Sequence, residues 1–313
     1  MTRILTRSDL EAVLQPAACL EALRTGFRVE DSSTVAGQRV RTDLPFPGTA
    51  TALIPGVLPG VEAYTVKVNA KFPAARPALR GVICLHSGRD GELLALLDSA
   101  TVTAWRTGLA AALGTHVLMA PDPAAVIGVI GAGAQAELMV RGLRGLGREG
   151  DLLVHDTAAD RAAAFASRHG GRVLRSAPEI AAAADVVLLA TWSRTPLLHL
   201  SDTRPGQHFT SLGADEPGKQ ELAGDLLRSA LLVVDDRELA ATAGALAAAG
   251  LPASAAAATL GEILNGRSAG RIDPGQRSVY APVGLPWQDL ALAWLAYQRA
   301  ERHGAGTELD LLS

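Results

Sequence analysis

Aromatic side chains make up only 4% of these 313 residues, cysteine occurs twice, and no block of basic residues is present. Each shortage excludes something. A core poor in aromatics has to be packed by Leu, Val and Ala, which suits close contacts between helices and a sheet. Cys19 and Cys84 lie outside any metal-binding spacing, so the expectation is two reduced, buried thiols in a cytoplasmic protein. The seven histidines (86, 116, 155, 169, 199, 208 and 303) show no HxH or HxxxH spacing, and no metal is expected. The formal net charge is −3, with Arg mixed among the acids, which gives no sign of a nucleic-acid surface. No apolar run reaches the roughly 20 residues needed to cross a bilayer. The first residues, MTRILTRSDLEAVL, read as a short strand and a helix capped by a Ser8–Glu11 box, not as a signal peptide. At 48% hydrophobic and 19% charged the chain is a folded one, and its length suggests two domains.

What is present is a glycine turn in a telling context. The apolar run Val126, Ile127, Val129, Ile130 stops at Gly131, and Ala132, Gly133, Ala134, Gln135 and Ala136 lead into a helical pattern. Strand, tight glycine turn and helix is the order that a dinucleotide site requires. Gly131 allows the turn, Gly133 lets the backbone approach a pyrophosphate, and Ala136 is small enough for close packing of helix on strand. The helix amino end offers unpaired N–H groups to the phosphates. A second apolar strand, Leu152-Leu-Val-His, ends at Asp156, which is placed to accept hydrogen bonds from the adenosine ribose. Its charge favours NAD(H), while Thr157 and Arg161 leave NADP(H) open.

Three regions follow from the patterning. Residues 1 to about 118 predict a helix over Asp9–Phe27, a strand over Ala63–Ala70, a hairpin from Gly81–Leu85 and Leu93–Leu97, and a helix over Ser99–Leu118. From 119 to 285, strands are expected at 125–130, 151–155, 172–175, 185–191, 208–213 and 231–235, with helices between most of them. Such alternation implies a parallel sheet covered on both faces. Pro286–His303 reads as a helix returning to the first domain, and Gly304–Ser313 as a mobile tail. The fold class is therefore α/β. A Rossmann-type doubly wound parallel sheet occupies 119–285, and an α+β domain is made of 1–118 and 286–313.

Three residues stand out for chemistry. Arg106, among small and apolar neighbours, is buried against a partner, lines a pocket or snorkels to the surface, and its planar fork suits a carboxylate. Lys67 sits mid-strand between Val66 and Val68; solvated exposure is its default, and burial would pair it with a carboxylate or let it shuttle protons. Asp215 follows a strand in SLGADEPGKQEL, where an acid faces the nicotinamide side of a cleft or caps a helix starting near Pro217.

These segments together resemble the ornithine cyclodeaminase/mu-crystallin family over nearly the whole length. The matching stretches are Arg41-Thr, Lys67, LRGVICLHSGRDGELLALLDSATVTAWRTGLAAALGT (79–115), GVIGAGAQA (128–136), ADVVLLAT (184–191), SLGADEPGKQEL (211–222) and VGLPWQDL (283–290). The resemblance implies a homodimer built by the first domain, which also takes the substrate, and a second domain that binds NAD(H) or NADP(H). It implies that Arg41, Lys67 and Arg106 hold a substrate carboxylate, that Asp215 handles the proton at the nitrogen, and that Thr191 lies near the nicotinamide. The ligand class would be a small α-amino or α-imino acid. The glutamate with which cyclodeaminases contact a distal amine is replaced here by Ala52, and an uncompensated buried amine is costly. The expected activity is therefore an NAD(P)-dependent oxidoreductase of the C–N bond. The alternatives are ornithine cyclodeamination with recycled NAD, or a non-catalytic protein that binds a dinucleotide and a small ligand.

Overall fold

The computed structural model describes all residues except 30–39, 47, 73, 74, 76, 77, 123, 216, 217, 312 and 313. The chain begins with β1 (Thr2–Leu5), α1 (Arg7–Val13) and α2 (Pro16–Val29). It continues through β2 (Val40–Asp43), β3 (Ala50–Gly56), β4 (Ala63–Lys71), β5 (Leu79–Ser87) and β6 (Leu93–Asp98) into the long helix α3 (Ser99–Leu118). Alternation then sets in: β7 (Ile127–Ile130), α4 (Ala134–Gly145), β8 (Leu152–His155), α5 (Ala159–His169), β9 (Arg172–Val173), α6 (Ala177–Ala183) and β10 (Val186–Leu189). Next come β11 (His208–Ser211), α7 (Gly224–Ser229), β12 (Leu231–Val234), α8 (Arg237–Ala243), α9 (Ala245–Ala248), β13 (Ala258–Thr259), α10 (Leu260–Leu264) and β14 (Ser278–Tyr280). The last elements are α11 (Pro286–His303) and β15 (Thr307–Leu309). No described helix is long and apolar enough to cross a membrane.

The chain falls into two compact units, Met1–Thr107 with Leu285–Ser313, and Gly108–Gly284. The division lies inside α3, where the sequence reading keeps the whole helix with the first domain.

The first unit carries a seven-stranded mixed sheet in the order β15-β1-β6-β5-β4-β3-β2. One face is covered by α11, which packs on β3, β4, β5 and α2. Ile54, Ile83, Leu85, Ala95 and Leu97 point into that core with Leu290 and Leu292. Phe27 meets Trp287 edge-on, with centroids 5.0 Å apart. The other face is apolar as well. Register aligns Val40, Leu53, Val68 and Val82 in one row across β2 to β5, and Val66 and Cys84 in the next. An antiparallel sheet with one free face normally turns polar residues outward.

The second unit is an eight-stranded, all-parallel sheet in the order β13-β12-β14-β11-β10-β7-β8-β9. Winding reverses between β7 and β10, and ligands of such sheets sit at the carboxyl ends of the strands near that point. Its core includes a histidine. Burial pushes His208 down to about 3, with Arg271 adding to the shift, so it stays neutral between the Ser278 and Thr210 hydroxyls, each at 2.9 Å.

Several expectations are corrected. The helix over Asp9–Phe27 is two helices, because Pro16 cannot continue α1 and instead opens α2. The capping box belongs to Thr6 and Asp9, not Ser8 and Glu11: Asp9 Oδ2 accepts from Thr6 N at 2.9 Å. The helix follows directly on β1, which moves its start upstream. Cys84 is half-buried on the outer face of the sheet, and neither cysteine forms a disulfide. The tail is partly ordered, since Thr307–Leu309 pairs antiparallel with β1.

Candidate active site

In the second unit the glycine turn has the expected form. Gly131 adopts φ +93°, and a Cβ there would lie 2.6 Å from the Ala190 carbonyl oxygen and 2.8 Å from Thr191 Cγ2. Gly133 is the N-cap of α4, where no side chain caps the helix and an added Cβ would meet nothing within 4 Å. Gly133 and Ala134 are exposed, Gln135 is half-buried, and Ala136 is fully buried under the helix. The amino end of a twelve-residue helix is thus open, uncapped and accessible, which fits a pyrophosphate.

Asp156 stands at the end of β8. Its carboxylate accepts from Ala132 N and Ala158 N, each at 2.8 Å, and from the Arg161 guanidinium. Burial alone would raise this carboxyl, but the Arg161, Ala158 and Ala132 hydrogen bonds hold it below the usual carboxylate range. The acid expected at the ribose therefore also pins the glycine turn.

A residue the sequence reading passed over organises the switch point. Glu221 is fully buried, and its carboxylate accepts from Thr191 N at 2.6 Å and from Thr191 Oγ1, Ser211 Oγ and Gly213 N, each at 2.7 Å. Burial raises its pKa, and these four donors oppose the rise. Glu221 thereby ties the ends of β10 and β11 together and fixes Thr191 beside Gly131. A loop acid in GKQEL reads as solvated; the only hint in the sequence is its flanking by Leu222 and Ala223.

Asp215 is half-buried, and Lys219 Nζ donates to its Oδ1 at 2.8 Å. Lys219 also lies over the Trp192 ring, 5.0 Å from its centroid. Glu216 and Pro217 lie outside the described residues. The segment from Gly218 to Ala223 is not helical, and the next helix is α7, so Asp215 caps no described helix.

In the first unit the two central cations meet a carboxylate of the chain itself. Lys67 is 1% exposed, and its Nζ donates to Asp289 Oδ2 at 2.5 Å. Arg106, also buried, donates from Nε to Asp289 Oδ1 at 3.2 Å and from Nη1 to Gln288 Oε1 at 3.3 Å. The default of a solvated Lys67 is thus overturned: on β4 the inward row is Thr65, Lys67 and Asn69, while Val68 faces out. Burial alone would raise the Asp289 carboxyl, but Lys67 and then Arg106 hold it below the usual range. Arg106 Nη2 has no partner among the described residues.

Arg41 is placed differently. Register aligns it with Ala52 and Asn69, on the same sheet face as Lys67. Its side chain is exposed, however, and pairs with Asp43 at 3.0 Å. Asp289 and Gln288 were visible in PWQDL, but an acid in the first turn of a helix reads as a dipole partner.

Comparison with known proteins follows this geometry. A model of the ornithine cyclodeaminase/mu-crystallin family matches residues 1–304. An archaeal alanine dehydrogenase dimer with bound NAD superposes with a TM-score of 0.90 at 27% identity, covering 99% of both chains. Delta(1)-pyrroline-2-carboxylate reductase of Thermococcus litoralis, in complex with NADH and L-proline, superposes at 0.91 with 26% identity, covering 98% of this chain and all of that one. Ketimine reductase mu-crystallin of Mus musculus is 30% identical over 273 residues, 83% of this chain and 84% of its own.

Proposed function

The chain belongs to the ornithine cyclodeaminase/mu-crystallin family, and from that premise we propose that it is an NAD(P)-dependent oxidoreductase acting on the C–N bond of a small α-amino or α-imino acid. The observation that carries this reading is the buried Lys67–Asp289–Arg106 cluster, which brings two cations together. A substrate carboxylate meets both of them. Arg106 Nη2 donates to that carboxylate beside Lys67, and Arg41 joins them by leaving Asp43. Held by two or more donors, the carboxylate fixes the orientation of the α-carbon, from which much of the rate enhancement comes. A nicotinamide coenzyme held at the glycine turn would supply or take up a hydride. Gly131, Gly133, Ala134, Gln135 and Ala136 hold its phosphates, Asp156 its ribose, and Thr191 its nicotinamide end. Asp215 exchanges the proton at the substrate nitrogen, and Lys219 orients that acid through its hydrogen bond.

Relatives named for alanine, pyrroline-2-carboxylate and ketimine chemistry support this class. So does Ala52, which offers no charge to a distal amine. Two cysteines outside any disulfide suit a reducing, cytoplasmic compartment. The test is a screen of cyclic α-imino acids, and of α-keto acids with ammonia or methylamine, followed by loss of NADH or NADPH absorbance. Coenzyme oxidation with one of these classes is expected. Proline release from ornithine without net NADH formation would reassign the chain to cyclodeamination. Coenzyme binding without turnover of any substrate would make it a binding protein.

We further propose that the chain is a homodimer, closed by a second copy over the outer face of the mixed sheet. Val40, Leu53 and Val68 lie in one register row there and are 53%, 44% and 36% exposed. A contiguous apolar face of this kind marks an interface. Light scattering is expected to give twice the chain mass for the wild type and a shift toward monomer for Leu53→Arg. A wild type of single-chain mass would refute the dimer.

A further inference from the structure

Every in-plane acceptor position of the Asp156 carboxylate is taken. Oδ1 accepts from Ala158 N at 2.8 Å and from Arg161 Nη2 at 2.6 Å. Oδ2 accepts from Ala132 N and from Arg161 Nε, both at 2.8 Å. Two of the four donors are backbone amides, fixed by the glycine turn and by the start of α5. The other two belong to one guanidinium whose side chain is 52% exposed, against 5% for the carboxylate it covers. Arg161 is therefore the movable partner, and an adenosine ribose gains Asp156 only where Arg161 leaves it. Nη1 of Arg161 takes no part in the pair.

We propose that Arg161 is a specificity-determining residue of the coenzyme site and that it lets this chain accept both NAD(H) and NADP(H). The proposal rests on the dinucleotide reading given above. With a free 2′-hydroxyl, Arg161 turns into solvent and the ribose hydroxyls donate to Asp156 in its place. With a 2′-phosphate, Arg161 stays on Asp156, cancels a charge that would otherwise repel the phosphate, and offers Nη1 to a phosphate oxygen. The ribose hydroxyls replace the two donors that Arg161 withdraws, so the carboxylate stays satisfied with either coenzyme and neither is shut out. Without Arg161 the bare Asp156 carboxylate keeps its acceptors for a hydroxyl and repels the phosphate.

Direct titration with NADH and NADPH, read by nucleotide fluorescence, tests this without any substrate. The wild type is expected to bind both, with Kd values within about tenfold of each other, the scale set by an exposed ion pair. Arg161→Ala is expected to weaken NADPH by at least about tenfold, the loss of one charge-assisted contact, while holding or tightening NADH. Retained NADH binding also shows that the variant is folded. A wild type that binds NADH but not NADPH, or a variant with unchanged NADPH affinity, overturns the proposal and leaves the proposed function standing. Failure of the wild type to bind either nucleotide overturns both.

Discussion

Asp289→Ala is expected to destabilise the protein by about 3–5 kcal/mol, the usual penalty for stranding a buried charge by removing its partner. Asp289 is 2% exposed and stands between Lys67 and Arg106, themselves 1% and 6% exposed. Truncation removes the carboxylate that both buried cations share. The loss is read as a lower urea midpoint at an unchanged slope. It carries a pH signature. The folded-state pKa of Asp289 is depressed, so its contribution is present above the unfolded value of about 3.9 and is lost as pH falls through the folded one. Wild type and variant should therefore differ most near neutrality and converge in strong acid. A difference below about 1 kcal/mol, typical of surface pairs, would show that the cluster is solvated.

Asp215→Asn is expected to lower kcat at least about a hundredfold while leaving NADH affinity unchanged, the scale lost when a proton-transfer group is removed. Asparagine preserves the shape of the side chain and a hydrogen bond with Lys219 at the same position, yet it cannot exchange a proton. The expected loss falls on kcat and kcat/KM together, because the missing interaction belongs to the transition state. Wild-type turnover in this variant would remove Asp215 from the reaction. An equal drop in NADH affinity would instead assign it to coenzyme binding.

Legibility in the sequence followed the length and regularity of each element. The helix over Ser99–Leu118 is observed with those bounds, since twenty residues of Ala- and Leu-rich chain leave little else to form. The hairpin and the strands at β7, β8, β10, β11 and β12 were legible from apolar runs ending in turn residues. Among the strands passed over, β13, β14 and β15 are only two or three residues long. β14 is the three residues Ser278–Tyr280, too short to show a period, and it is a strand because β11 and β12 flank it. β2 and β3 alternate only weakly, since apolar residues lie on the outer face as well. At the candidate site the glycine turn was plain because backbone geometry restricts which residues can form it. Lys67 and Arg106 were marked by their apolar neighbours. Asp289 and Glu221 were not, because a buried carboxylate differs from a solvated one only in what lies across from it in space: for Asp289 that is Lys67 and Arg106, far off in the chain, and for Glu221 it is the end of β10 as well as the nearby end of β11.

The small residues that lock α3 onto α4 have a further consequence. A methyl group at Gly108 would come 2.6 Å from Leu138 Cβ, and one at Gly142 would come 2.6 Å from Ala112 Cβ. Those two helices touch with no slack, and α4 is the element whose uncapped first turn is proposed to hold the phosphates. Enlarging either glycine would thus tilt or lift α4 and is expected to blunt that grip. In this scaffold, repacking undertaken for thermal robustness and tuning of coenzyme affinity are one and the same adjustment.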